Sequence, residues 1–315
     1  MSRSDCINRA KATIEQRYNK SKLDFDQHTM EATIKIDGYS EVDRLIRSTG
    51  SRIMQAAVSK NGSIDEIRSE YENAVKKKKA LLVQNGYPAD YCDMKYHCDM
   101  CSDTGYVGIK ICSCLKKEIN YELLKESGLY HLSKNQSFET FSLKYYYEDE
   151  ENLEKVKGHY EMLMSFAERF GDDTYSNFLL MGPTGLGKTH LSTATAVSVI
   201  DKGYYVIYES AVNIFENYQA REFRKEKSAD IEKYSDCDLL IIDDLGAEMV
   251  TAFTVEKLYS LINERTNNNK PTIINTNLTA DELVQKYDKR IVSRLFGEYF
   301  VLPFRGTDVR MQKLS

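Results

Sequence analysis

The residues best suited to chemistry form the glycine-rich segment Gly182-Pro-Thr-Gly-Leu-Gly-Lys-Thr189, which follows a short apolar run and precedes a helical pattern. This is the pattern of a P-loop, in which backbone N–H groups surround phosphate oxygens and the next helix adds the positive end of its dipole. We expect Lys188 to reach the β- and γ-phosphates and the Thr189 hydroxyl to coordinate Mg²⁺. The segment predicts a nucleoside triphosphate site made by Gly182, Pro183, Thr184, Gly185, Leu186, Gly187, Lys188, Thr189 and His190.

A second group, Leu239-Leu-Ile-Ile-Asp243-Asp244, combines a buried apolar strand with two carboxylates at its carboxyl end. In a parallel sheet that end faces the P-loop, so we expect Asp243 to bind the magnesium of the nucleotide directly or through water. Asp244 is then positioned to polarise the attacking water, and the alternative is a structural carboxylate. Because Asp is a methylene shorter than the Glu usual at this place, we expect slow hydrolysis.

A third group ends another short strand, Thr272-Ile-Ile-Asn-Thr-Asn277. A polar residue there would lie between the acidic pair and the γ-phosphate and would orient water. Asn277 is our choice and Thr276 the second, and hydrogen bonding that only ends the strand is the alternative. Further along, Arg290 and Arg294 are four residues apart and share a helix face. Arg294 either enters a neighbouring subunit's site as an arginine finger or belongs to a surface pair.

Four of the seven cysteines are clustered, as Cys98-x2-Cys101 and Cys112-x-Cys114. Two close pairs separated by a glycine-containing loop can present four thiolates tetrahedrally to one Zn²⁺ ion, and such a site is structural because no coordination position stays open. Four unrelated buried thiols are the alternative. The sequence shows no signal peptide and no apolar run of transmembrane length. We therefore expect a cytoplasmic protein without a membrane partner, in which the cysteines stay reduced.

The elements that position these groups alternate between strand and helix signals from about residue 135 onward, which predicts an α/β domain with a parallel sheet. Residues 1–90 show apolar residues at helical spacing and predict a helical N-terminal region. We assign residues 91–134 to the cysteine module and a linker helix, and residues 135–315 to the nucleotide-binding domain. In the connector, Phe138 and Phe141 pack either under the nucleotide base or against the core of the next domain.

The net charge of −5 gives no global signature of nucleic-acid binding, so such binding must depend on local basic patches. One candidate is the helical segment 218–227, where Phe223 lies among four cations. Those cations are Arg221, Arg224, Lys225 and Lys227. A base can stack on Phe223 while Arg221, Arg224 and Lys225 meet phosphates, and a charged helix with one buried Phe is an equal alternative. The basic run 76–79 is interpreted as a solvated helix face rather than a nucleic-acid contact.

The order of the P-loop, the Asp243-Asp244 pair, Asn277 and Arg294 resembles that of the AAA+ ATPases. This resemblance covers about residues 135–315. It implies ATP and Mg²⁺ as cofactors, Asn277 as the sensor 1 residue and Arg294 as the arginine finger. It also implies a P-loop AAA+ three-layer parallel sheet without a C-terminal lid, which leaves Arg310 as the candidate for the second sensor.

More narrowly, the segments 239–246, 274–278 and 290–294 look like those of bacterial DnaC/DnaI-type replicative helicase loaders and of related IstB transposition helpers. A zinc-binding domain ahead of the ATPase resembles the DnaI-like loaders, whereas an IstB-type helper is not expected to carry the cysteine cluster. The resemblance implies an N-terminal domain that binds the replicative helicase. It also implies an ATPase domain that binds single-stranded DNA and forms a homo-oligomer with ATP. The alternatives are a transposition helper, whose partner is a transposase, and a nucleotide-gated binding module with negligible hydrolysis.

Overall fold

The structure is a computed structural model and describes residues 2–59, 64–147, 149–172, 175–223 and 230–312. It divides into two compact units. The N-terminal unit comprises residues 12–114, and the C-terminal unit comprises residues 1–11 together with 115–315. The helical region and the cysteine segment, between which the sequence predicts a boundary near residue 90, lie in the same unit.

The N-terminal unit is built from helices and one small hairpin. Its elements are α1 (Arg3–Lys35), whose first residues belong to the C-terminal unit, α2 (Tyr39–Ser59), α3 (Ile64–Gln84), β1 (Tyr106–Val107) and β2 (Lys110–Ile111). The two strands pair antiparallel. A hydrophobic cluster of Ala32, Ile36, Tyr39, Leu82 and Cys92 forms the core between the helices and the segment that follows α3.

The basic run on α3 is only partly solvated. Lys76, Lys77 and Lys79 are exposed, whereas the Lys78 ammonium lies 3.2 Å from Asp43 Oδ1 with 12% of its side chain exposed. Arg47 Nε lies 2.6 Å from the other oxygen of that carboxylate. Asp43 therefore joins α2 to α3 through an ion pair, and the expectation of a solvated face is wrong at Lys78.

The C-terminal unit alternates helices and strands along the chain. Its elements are α4 (Ser113–Glu126), whose first two residues belong to the N-terminal unit, 3₁₀ turns at Leu132–Lys134 and Leu143–Tyr146, α5 (Glu150–Glu168), β3 (Asn177–Met181), α6 (Lys188–Asp201), β4 (Val206–Ser210), α7 (Ala211–Phe223), α8 (Glu232–Asp236), β5 (Leu239–Leu245), α9 (Ala252–Asn267), β6 (Thr272–Thr276), α10 (Ala280–Lys286), α11 (Lys289–Glu298), β7 (Tyr299–Pro303) and α12 (Val309–Gln312). This alternation confirms the predicted α/β class and the helical region that precedes it.

Within the described residues, β3 to β7 form a five-stranded sheet in the order β4-β5-β6-β3-β7, with every pairing parallel. From β3 the chain crosses to β4 at one edge and then returns through β5 and β6 to β7. Because such crossovers are right-handed, α6 lies on one face and α7, α9 and α11 lie on the other. The central strands β3 and β6 are buried at every residue, as expected for strands covered on both faces. Among the described residues, no helix combines the length and apolar character that crossing a bilayer requires.

Arg265 of α9 is a buried cation that organises the amino-terminal edge of this sheet. It is 1% exposed. Its guanidinium donates to Thr272 Oγ1 at 3.0 Å and to the carbonyls of Pro271, Tyr234 and Cys237 at 2.7, 2.9 and 3.0 Å. These bonds tie the residues before β5 to the start of β6, so they fix how the two strands enter the sheet.

We predict that Arg265→Met lowers the free energy of unfolding by about 3 kcal/mol or more, because several buried carbonyls lose their donor. Urea denaturation followed by circular dichroism measures this change. Arg305→Met is the matched control, since Arg305 is exposed and its replacement should change stability by no more than about 0.5 kcal/mol. Equal effects of the two substitutions would contradict the role given to Arg265.

Candidate functional site

The carboxyl ends of three neighbouring strands bring the predicted site together. Met181, the last residue of β3, pairs with Thr276 of β6, and Ile242 of β5 pairs with Ile274 of β6. The P-loop after β3 therefore begins beside the residue that precedes Asn277. The acidic pair at the end of β5 lies one strand further along, as expected for a parallel sheet.

Glycines allow the P-loop to pass close to other backbone. Gly182 has φ +138°, and a Cβ there would lie 2.1 Å from the carbonyl oxygen of Phe304. Gly187, with φ +86°, is the residue before α6 in the left-handed conformation that glycine favours. The first residue of α12 also contacts the loop, because the Val309 N–H donates to Gly185 O at 2.9 Å. The loop shape thus depends on the segment that follows β7.

Lys188 is the buried cation of the site, at 5% exposure. Its ammonium donates to Gly182 O at 2.5 Å, to Pro183 O at 2.7 Å and to Asn277 Oδ1 at 2.9 Å. Burial lowers the pKa of Lys188 to about 8, and the nearby Asp244 carboxylate opposes that shift. Lys188 therefore stays protonated near neutral pH but is much closer to losing its charge than an exposed lysine.

Asp243 accepts hydrogen bonds from three other elements. Thr189 Oγ1 lies 3.5 Å from both of its carboxylate oxygens, and Asn275 Nδ2 donates to Oδ1 at 2.8 Å. The Tyr208 hydroxyl of β4 donates to Oδ2. Burial and then the charge of Asp243 raise the pKa of Tyr208, so its hydroxyl keeps the proton that it donates. The oxygens of Thr189 and Asp243 are the hard ligands that Mg²⁺ prefers, so these two residues fit its binding.

Asn277 links the cation to the second carboxylate. Its Oδ1 accepts from Lys188, while its Nδ2 donates to Asp244 Oδ1 at 3.0 Å. Asp244 is exposed and has φ +52°, a left-handed conformation that turns it away from the strand path. Thr276, the second choice for orienting water, is fully buried, and its Oγ1 donates to Leu245 O at 2.7 Å. Thr276 therefore stabilises the strand end, and Asn277 is the residue that contacts Asp244.

A cavity of about 380 Å³ lies beside these groups. Its lining residues are Gln136, Thr184, Gly185, Leu186, Gly187, Lys188, Thr189, His190, Asp244, Asn277, Val309 and Arg310. Arg294 is instead on α11, where its Nη1 lies 2.6 Å from Glu298 Oε1 and its guanidinium lies over the Tyr259 ring. The cavity therefore joins the P-loop, Asp244 and Asn277 with Arg310, and Arg294 belongs to another surface of the unit.

The two connector aromatics have different surroundings. Phe138 is 7% exposed and meets the Tyr160 ring edge-on. Phe141 is half-buried and packs on Tyr146, Tyr160 and His190. Phe138 is thus a core residue, while Phe141 lies against the first turn of α6.

Tyr208, Asn275 and Gln136 were not singled out by sequence reasoning. Asn275 carries the clearest missed signal, because an Asn in an otherwise apolar buried strand must find hydrogen-bond partners. Tyr208 is the middle residue of β4, and because Tyr204 and Tyr205 precede that strand, the sequence does not indicate which tyrosine reaches the site. Gln136 belongs to the connector, and its position beside the P-loop depends on contacts distant in sequence.

The four clustered cysteines of the N-terminal unit come together. All four Sγ atoms lie within 4.8 Å of one another, with 3.8 Å between Cys98 and Cys112 and 3.4 Å between Cys101 and Cys114. Tetrahedral zinc with Zn–S bonds of about 2.3 Å separates its sulfurs by about 3.8 Å. The Asp103 carboxylate accepts from the N–H groups of His97 and Cys98 and fixes the first turn. The donor set and its spacing therefore fit a structural Zn²⁺ ion.

A parallel sheet with a P-loop after β3, an acidic pair after β5 and a polar residue after β6 defines a P-loop ATPase domain of the AAA+ class. Residues 131–313 match the family of the IstB-like ATP binding protein, and the chain belongs to that family.

Proteins similar in sequence to this chain include a phage-like element protein and chromosomal replication initiator proteins. The phage-like element PBSX protein XkdC of Bacillus subtilis (strain 168) is 28% identical over 235 residues, which span 68% of this chain and 85% of XkdC. The chromosomal replication initiator protein DnaA of Campylobacter jejuni is 32% identical over 120 residues, 38% of this chain but only 27% of DnaA. Among solved structures, that of the DnaC helicase loader is 22% identical with a TM-score of 0.48, and covers 56% of this chain and 99% of its own.

The lowered pKa of Lys188 predicts pH-dependent ATP binding. Bound phosphate stabilises the ammonium and raises its pKa in the complex. The affinity for ATP should therefore be constant below about pH 7 and should fall as pH rises through about 8. The fall should approach tenfold per pH unit and then level off. Calorimetric titration with ATP and Mg²⁺ between pH 6.5 and 10 measures this dependence.

The control is Lys188→Met, which should bind ATP more weakly and with no such dependence. If both proteins lose affinity in parallel above pH 8, another group is responsible and the role of Lys188 is wrong.

Proposed function

We propose that this chain is an ATP-dependent loader of a replicative DNA helicase. ATP would drive its assembly into a homo-oligomer, the N-terminal unit would bind the helicase, and the C-terminal unit would bind single-stranded DNA. The observation that carries the enzymatic part is the hydrogen-bonded line from Lys188 through Asn277 to Asp244. It joins the phosphate-binding cation to the carboxylate suited to polarise water, through an amide suited to orient it.

Within this proposal each residue has a defined task. Lys188 and the P-loop amides bind the phosphates. Thr189 and Asp243 would hold Mg²⁺, whose charge would offset that of the β- and γ-phosphates. Asp244 polarises the attacking water, and Asn277 orients it. Because Asp244 is short and one of its oxygens accepts from Asn277, we propose slow hydrolysis.

Arg294 is proposed to act on the ATP of a neighbouring subunit. Its side chain is 26% exposed and paired with Glu298 on its own helix. That pair is weak in water, so the guanidinium is available to the stronger charge of a phosphate. Arg290 on the same helix is also in an exposed ion pair, with Nη2 2.8 Å from Asp288 Oδ2, so it is a matched cation for comparison.

Single-stranded DNA is proposed to contact the end of α7. Phe223 is 66% exposed, and its ring packs against Phe253 at 5.0 Å between centroids. This exposure favours base stacking over the alternative of a buried core phenylalanine. Arg224 and Lys225, two of the cations expected to meet phosphates, lie outside the described residues, as does Lys227.

A second candidate function is a nucleotide-gated binding module, in which ATP controls assembly and hydrolysis is negligible. The short side chain of Asp244 and its bond to Asn277 favour it. A turnover assay with single-stranded DNA distinguishes the two, since ATP binding without turnover supports the module and measurable turnover supports the ATPase.

We predict that Arg294→Ala abolishes most ATP turnover, by about a thousandfold or to background, because a transition-state charge loses its partner. Mixing Arg294→Ala with Lys188→Met should restore activity, since the second variant supplies Arg294 to ATP bound by the first. Phosphate release from the separate and mixed proteins measures this complementation.

Arg290→Ala is the matched control on the same helix and should retain most activity. Mixtures no more active than their components would count against action between subunits.

We also predict that metal analysis of the reduced protein finds one equivalent of zinc per chain, and that Cys101→Ser loses this zinc.

The tagged full-length chain should capture the replicative helicase from a lysate of its host. Cys101→Ser should lose this capture but keep ATP binding, because the cysteines belong to the other unit.

Cys92→Ser is the control, since Cys92 lies in the hydrophobic core of the same unit and should not change the zinc content. Capture of a transposase in place of the helicase would instead identify a transposition helper.

A further inference from the structure

Gln136 lines the same cavity as P-loop residues 184–190, although it comes from the connector before α5. Its side-chain carbonyl oxygen, Oε1, is buried and has no hydrogen-bond partner among the residues that the structure describes. A buried acceptor without a donor is destabilising because it has lost its water. Because Gln136 also borders the cavity, a rotation of its side-chain amide would let Oε1 accept from a donor on the ligand and so remove that cost.

The segment around Gln136 is attached to the first turn of α6. His190 Nε2 lies 2.9 Å from Ser137 O and 3.2 Å from Thr140 Oγ1. Because His190 directly follows Thr189, these contacts hold the connector at a fixed place beside the phosphate-binding loop. The backbone of Gln136 is therefore in place before any ligand arrives, which lowers the cost of recognition.

The chemistry of the surroundings indicates which part of the ligand meets Gln136. Phosphate oxygens are acceptors, so they do not suit a carbonyl oxygen, and Lys188 and the loop amides already form the phosphate end. Near the connector, His190 lines the cavity, and the Phe141 ring lies behind it, edge to face with centroids 5.3 Å apart. Flat aromatic neighbours suit a purine base better than a ribose.

We infer that Gln136 selects the base: its side-chain carbonyl accepts a hydrogen bond from the C6 amino group of adenine. A purine with a carbonyl at C6 has no donor there and sets a second acceptor against Oε1, so the site discriminates against it. This inference rests on the proposed ATP binding and adds the residue that distinguishes ATP from purine triphosphates with a carbonyl at C6.

The test compares ATP with inosine triphosphate, which replaces the C6 amino group by a carbonyl. Calorimetry with Mg²⁺ and the full-length chain should give an affinity for ATP about tenfold or more above that for inosine triphosphate. Gln136→Met should bring the two affinities together, mainly by weakening ATP. Gln136→Glu retains an acceptor and should keep the preference for ATP.

Two control variants separate base selection from general effects. Asn135→Ala changes the exposed neighbouring side chain and should leave the ratio of the two affinities unchanged. Lys188→Met should weaken both nucleotides to a similar extent and preserve the ratio.

The inference is overturned if Gln136→Met binds ATP with an unchanged ratio. It is also overturned if Gln136→Met abolishes a preference for ATP over 2′-deoxy-ATP instead, because Oε1 would then contact the ribose. If the wild-type chain binds no triphosphate, the proposed function is overturned as well. If it binds both triphosphates but Gln136→Met leaves their ratio unchanged, only the base selection is overturned.

Discussion

The relative register of β3, β6 and β5 is the constraint on which the candidate site depends. Side chains alternate along a strand, so a slip of one residue would turn Asp243 or Asn277 to the other face. Apolar pattern alone cannot fix this register, because β6 is buried on both faces. Two hydrogen bonds that involve side chains fix the register. The Thr272 N–H donates to Asn177 Oδ1 at 2.8 Å at one end of β6, and Thr276 Oγ1 donates to Leu245 O at the other end.

With the strands in register, the site brings the buried Lys188 and the partly exposed Asp243 together with neutral hydrogen-bonding groups. Lys188 lies between loop carbonyls and Asn277, while Asp243 accepts from Tyr208 and Asn275. Each neutral donor or acceptor keeps a charged group in place without cancelling its charge. Such preorganised polar groups can bind a charged ligand with little rearrangement, which is the general basis of electrostatic stabilisation in enzymes.

The local motifs of this chain could be predicted from the sequence because their chemistry is contained in short segments. The P-loop, the cysteine pairs and the sheet class follow from spacing and periodicity alone. Contacts between distant segments could not be predicted in this way. Arg265 resembles any arginine at the end of a charged helix, yet it is buried among carbonyls from two other segments. Lys78 belongs to a basic run that predicts solvation, but Asp43, 35 residues earlier, neutralises it.

The bond from the Val309 N–H to Gly185 O has a consequence for protein synthesis. Translation proceeds from the amino terminus, so Gly185 leaves the ribosome long before Val309 exists. A nascent chain can therefore form the early strands while its phosphate-binding loop still lacks the support of the segment after β7. The phosphate-binding loop therefore gains this support only after the segment that follows β7 has been synthesised.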